Sequence, residues 1–148
     1  MGEAKCNDAA FGEMAYKHRW YKEQEISIFG QAWNITVAAK AYSGKAITNE
    51  QQDSYVKFME DEGKYIEVVE NELKNYVNHN LQELAEYWAA ARGVDSKEDL
   101  SQMVTPKTLL FKQDGTAVLL LDCVWDVENG VGVKIIPEVS IGIQDLFL

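Results

Sequence analysis

From residue 117 to residue 125 the chain reads Ala-Val-Leu-Leu-Leu-Asp-Cys-Val-Trp, apolar on both parities. Leu119, Leu121, Cys123 and Trp125 share one face and Val118, Leu120 and Val124 the other. An extended segment of this kind needs cover on both sides, so it predicts a central strand. Gln113-Asp114-Gly115 before it is a turn tripeptide, which predicts a hairpin with residues 108–112. Asp126 to Gly130 forms the next turn, residues 131–136 the next strand, and residues 138–143 a last one after Pro137.

Upstream the apolar period changes. Residues 11–22 alternate with many aromatics, and residues 25–29 and 33–42 supply β-branched and aromatic side chains around Gly30-Gln31, so strands are expected across residues 11–42. From Thr48 the spacing becomes three and four. Thr48 with Gln51 fits a capping box, and Tyr55, Phe58, Met59, Ile66, Val69, Leu73, Tyr76, Val77, Leu81, Leu84, Tyr87 and Trp88 form one apolar stripe. Gly63 and Asn78-His79-Asn80 divide the stretch into two or three helices, and Ser96 caps a further short one before Pro106. Helices therefore occupy residues 48–103 and strands 108–143. The order strands, helices, strands predicts one α+β domain over residues 1–148, an antiparallel sheet of about six to seven strands with helices packed on one face.

Charge follows the same division. Residues 1–46 carry 6 basic and 5 acidic side chains, residues 47–104 carry 5 and 13, and residues 105–148 carry 3 and 6. The helical block holds most of the formal charge of −10. Such a surface repels nucleic acid and anionic lipid and suits a basic protein partner. No run of 18 apolar residues occurs, and residues 1–7 lack the apolar segment of a secretory signal, so a cytoplasmic location is expected. Cys6 and Cys123 match neither a disulfide framework nor a zinc site and read as two thiols.

Residues with chemistry concentrate at the end of the central strand. If the chain stays extended, Asp122, Asp126 and Glu128 project from one side beside Trp125, which makes Asp122, Trp125, Asp126 and Glu128 the candidate binding residues. The competing reading is structural: Trp125 packs inward, Gly130 and Gly132 permit a tight turn or bulge, and the acids take turn amides. Asp122 shares its parity with Val118, Leu120 and Val124 and is expected to be a buried hydrogen-bond acceptor, unless that face opens to solvent or the carboxylate serves as a catalytic acid. Counted from Asp126, the turn fails the calcium-loop template, and Gly130-Val131-Gly132 lacks the rest of a dinucleotide loop.

Other motifs are incomplete. His79 and Glu83 supply half of a zinc site, and the other half is missing. Residues 16–22 interleave bases with aromatics as a nucleic-acid platform would, against the charge of the rest; a solvated strand is the plainer account. Ser140 and Cys123 sit in no nucleophile motif, and Asn34-Ile35-Thr36 matters as a glycosylation sequon only after secretion. No cofactor or metal is implied.

Phe111, Asp114-Gly115, then Leu121-Asp122-Cys123, Trp125-Asp126, Glu128, Gly130, Gly132-Val133 and finally Gln144-Asp145 resemble the C-terminal part of a family of small standalone bacterial domains of unknown function. The match centres on Trp-Asp-x-Glu-x-Gly-x-Gly-Val. It implies a fold and a cellular setting and transfers no catalytic residue. Many relatives carry histidine where this chain has Asn129, which argues against a metal or acid–base role for the turn. The expectation is a non-enzymatic, acidic protein-interaction module, of which immunity-type neutralisation of a basic toxin is one form. Its alternatives are a small enzyme or ligand-binding domain around Asp122, Asp126 and Glu128, and a module that self-associates through residues 16–22.

Overall fold

The computed structural model describes residues 4–148; of the stretch 1–7 read for a leader, residues 1–3 lie outside the described part. Eight strands form one sheet whose spatial order follows the chain: β1 (Ala4–Asp8), β2 (Gly12–Tyr16), β3 (Trp20–Ile28), β4 (Gln31–Ala39), β5 (Val104–Phe111), β6 (Ala117–Cys123), β7 (Val131–Ile136) and β8 (Ser140–Ile143). Between β4 and β5 run α1 (Asn49–Glu60), α2 (Glu62–His79), α3 (Leu81–Leu84) and a 3-10 helix (Lys97–Gln102), and a second 3-10 turn (Gln144–Phe147) follows β8. The α+β class stands, with eight strands rather than six to seven. The sheet is mixed, because β4 pairs parallel to β5 while every other pairing is antiparallel. The reason is the helical crossover: a connection that leaves one end of β4, packs on the sheet and enters β5 from the opposite end makes the two strands parallel.

The extra strands come from the N-terminal region. Residues 11–22 are not one strand, since His18 at φ 68° turns the chain between β2 and β3. Tyr16 and Trp20 then face each other across that turn, rings 5.2 Å apart, with the Tyr16 hydroxyl donating to the Ala41 carbonyl and Trp20 Nε1 to that of Lys45. Lys22 is half-buried and turns toward α1. Its Nζ donates to the Phe11 carbonyl (2.6 Å) and the Tyr55 hydroxyl (2.8 Å) and lies 4.7 Å from the Tyr55 ring centre, so the interleaved bases and aromatics do not make one platform.

The capping box forms as expected. Gln51 N donates to Thr48 Oγ1 and Thr48 N to Gln51 Oε1, while Gln51 Nε2 reaches the carbonyls of Lys40 and Phe111. One fully buried amide thus fastens the start of α1 to the ends of the parallel pair. Tyr55, Phe58, Ile66, Val69, Leu73 and Val77 pack against Ile26, Ile35, Val37, Leu109, Leu119, Leu121 and Val133 in the main core, whereas Met59 and Tyr87 of the predicted stripe are exposed. Strand β6 is central and covered on both faces. Val118 and Leu120 join Ala38, Leu110 and Phe147 in a second, smaller cluster, with Phe147 supplied by the C-terminal 3-10 turn. Gly132 makes room for it, since a Cβ there would come within 2.6 Å of the Phe147 ring. Among the described residues no helix is long and apolar enough to cross a membrane.

Candidate functional site

Strand β6 ends at Cys123, two residues before the point expected, and this decides the geometry of the candidate carboxylates. Val124 N donates to the Met103 carbonyl (3.0 Å), the chain turns, and the alternation that would align Asp122, Asp126 and Glu128 stops. Asp122 is exposed rather than buried: its face of the sheet opens beyond Leu120, and its carboxylate lies 3.7 Å from Lys107 Nζ. Asp126 organises the turn, accepting from Asn129 N (3.1 Å) and Asn129 Nδ2 (3.1 and 3.2 Å), while its carbonyl takes Gly130 N (2.9 Å). Asn129 is thereby fixed as a donor within the loop. Glu128 is exposed at the tip.

Trp125 is buried, its ring 6.0 Å from that of Tyr76 and 6.2 Å from that of Trp88, so it pins the end of α2 and the segment after α3 to the sheet. Burial also acts on neighbouring groups. It pushes the Cys123 thiol up to about 11, helped by the Asp126 charge, and raises the Tyr76 phenol, with Glu83 adding to the effect. Both cysteines are free thiols, and a thiol held protonated is a poor nucleophile. The structure therefore brings Trp125 together with Tyr76 and Trp88 and draws Asp126 into its own turn, while Asp122 and Glu128 remain on the surface. Among the described residues no group of three or more His, Cys, Asp or Glu is placed to hold a metal ion.

A second place, away from those residues, has the shape of a site. The β3–β4 hairpin turns through Phe29 (φ 58°) and Gly30 (φ 79°), the two left-handed positions of a type I′ turn. A phenylalanine there costs roughly 1–2 kcal/mol of backbone strain. Two contacts hold it: the Phe29 ring is almost wholly buried, and Phe29 N donates 2.8 Å to Glu70 Oε2 from α2. Beside this turn lies a groove of about 790 Å³ between the hairpin and α2, with Ile28 and Ile66 on its floor and Glu67, Glu70, Asn71 and Lys97 among its polar walls. Glu70 is only 7% exposed. The sequence carried a signal for it, because steps of four, three and four from Ile66 to Val77 place a carboxylate at position 70 on the apolar stripe, between Ile66 and Leu73.

A family model for a domain of unknown function, DUF6985, matches residues 10–148. The chain belongs to the DUF6985 family. The match spans β2 through the C-terminal 3-10 turn, so the DUF6985 region includes the Trp125 turn, the helical layer and the groove alike. No curated protein and no solved structure gives a significant match.

Proposed function

We propose that this DUF6985 domain is a non-enzymatic protein-interaction module that meets a basic protein through its helical layer. One observation supports it most: the negative charge of that layer is not neutralised from within. Residues 49–86 hold ten carboxylates against three lysines. Seven of the ten are exposed, Glu62 and Glu72 are half-buried, and only Glu70 is buried. Among the described residues the one side-chain ion pair is Lys107 with Asp122, on the opposite face of the sheet, and of the ten only Glu70 accepts a hydrogen bond. The helices pack their apolar stripe on the sheet and turn their acids outward, which is the arrangement that speeds encounter with a positive surface and weakens as salt rises.

An immunity-type role, in which the partner is a basic toxin domain, is one concrete form. The alternative, a small enzyme or ligand-binding domain around Asp122, Asp126 and Glu128, draws on an Asp122 paired with Lys107, an Asp126 engaged in its own turn and a Glu128 exposed at the tip. The test is affinity capture from the native cytosol with the wild-type chain and with Glu60→Lys/Glu83→Lys, at low and at high salt. A stoichiometric basic protein held by the wild type, released by salt and missed by the reversed chain is the expected result. A partner retained equally by both chains overturns the reading, as does the absence of any stoichiometric protein.

A further inference from the structure

We propose that the chain self-associates head to tail, the basic end of its sheet docking on the acidic helical layer of a second copy around Tyr87. This goes beyond the basic-partner reading and needs only charges that the chain itself carries. Residues 26–48 contain no acid. Strand pairing gathers the cations of this region at one end of the sheet: Ala39, the last residue of β4, lies opposite Trp20 and Phe111, so Lys17 and Arg19 of the β2–β3 turn, Lys40 and Lys112 collect there. The bond from Trp20 Nε1 to the Lys45 carbonyl brings in a fifth. Lys17, Lys40 and Lys45 are exposed, Arg19 and Lys112 are half-buried, and among the described residues none of the five is in an ion pair. Glu50 and Asp114 border this rim, and Glu138 stands further along in the turn between β7 and β8, so the rim keeps a positive sign. Tyr42, 76% exposed, lies between Lys40 and Lys45 in the chain.

The acids gather at the other end. Helix α2 meets the sheet at Phe29, in the β3–β4 turn, through Glu70, and at Trp125, beyond β6, through Tyr76. Both contacts lie at the strand ends away from Lys40. Residues 60–86 hold eight carboxylates against Lys64 and Lys74, and Glu83 and Glu86 are exposed next to Tyr87, itself 72% exposed. The nine residues of β4 set the two ends roughly 25–30 Å apart, about three screening lengths at physiological salt. The rim and the acids therefore cannot neutralise each other within one chain. Between two copies they can, and each is the complement of the other in sign. The net charge of −10 does not forbid the contact, because salt screens it beyond about 8 Å and the local signs decide. An exposed tyrosine within each surface supplies the apolar anchor that a ring of charges lacks. The contact joins two different surfaces, so every open assembly leaves one rim and one acidic layer free at its ends.

The experiment is sedimentation velocity of the full chain from micromolar to near-millimolar concentration, with two charge-reversed variants and their mixture. Lys40→Glu/Lys45→Glu changes the rim and Glu83→Lys/Glu86→Lys the acids, all at exposed positions. Circular dichroism checks that each folds, with Lys17→Glu/Arg19→Glu and Glu60→Lys/Glu83→Lys in reserve. The wild type should sediment faster as concentration rises, and each variant alone should associate more weakly by about tenfold or more. Their equimolar mixture should form a complex that stops at two chains, since only the rim of one and the acids of the other still match. A wild type that stays monomeric throughout overturns the inference. So does association that survives either reversal, and so does a mixture that forms no complex. Should the wild type stay monomeric while its rim retains single-stranded DNA and Lys40→Glu/Lys45→Glu does not, the occupant is nucleic acid and the inference falls. None of these results touches the basic-partner reading, which capture from the cytosol tests on its own.

Discussion

Replacing Gln51 with leucine tests how the acidic helical layer is fastened to the sheet. The side chain is fully buried and makes three hydrogen bonds, taking Thr48 N (2.8 Å) on Oε1 and giving Nε2 to the carbonyls of Lys40 (2.8 Å) and Phe111 (2.9 Å). Leucine keeps the volume, so the loss reports polar bonds rather than a cavity. Phe111 retains the amide of Lys40 as a donor to its carbonyl, but the Lys40 carbonyl and Thr48 N are left without these partners. At about 1 kcal/mol for each bond the substitution should cost about 3 kcal/mol. That is a large part of the roughly 5–15 kcal/mol that holds a domain of this kind together. Thermal unfolding followed by tryptophan fluorescence should show a midpoint lower by about 6–12 °C, at roughly 2–4 °C per kcal/mol. A drop of less than about 2 °C would mean that α1 is held by its apolar stripe alone and that the amide clamp carries no weight.

Further outcomes follow from single residues. Trp125→Ala should destabilise by about 3–5 kcal/mol in urea titration, because it empties the contact with Tyr76 and Trp88. Asp122→Asn should change stability by less than about 1 kcal/mol in the same assay, since its pair with Lys107 is exposed and 3.7 Å long. Iodoacetamide should leave Cys123 unmodified at neutral pH until the chain unfolds. Because its folded pKa, about 11, lies above the ordinary 9.0, only the unfolded chain releases the proton between those values, so stability should fall as pH rises through that window. Gly130→Ala should destabilise more than an ordinary surface change, as the position has φ 67° and a Cβ would approach the Leu121 carbonyl to 2.6 Å.

What could be read from the chain was local. The Thr48–Gln51 box, the hairpin at Gln113-Asp114-Gly115, strand β7 over residues 131–136 and the two-sided strand β6 all depend on neighbours in sequence, and the structure reproduces them. What failed depended on the backbone or on distant contacts. His18 carries no obvious turn signature, so the break between β2 and β3 was hidden inside an aromatic alternation. Strand β1 is mostly exposed at a sheet edge and lacks an apolar face to announce it. Parallel pairing of β4 with β5 is set by where the helical crossover lands, which no local pattern encodes. The turn after Cys123 separates the candidate carboxylates, which only a chain extended through Glu128 would align on one side. Glu70 left a legible trace as an acid on an apolar stripe, but the groove beside it exists only once α2 meets the hairpin.

If the outward helical acids are the docking face, cross-linking of the captured complex reports it directly. With an amine-reactive reagent, cross-links to the basic partner should fall on Lys57 and Lys64, which lie among those acids on α1 and α2. Cross-links confined to Lys107 and Lys134, on strands β5 and β7, would place the partner on the other side of the sheet and rule out the helical layer as the docking face.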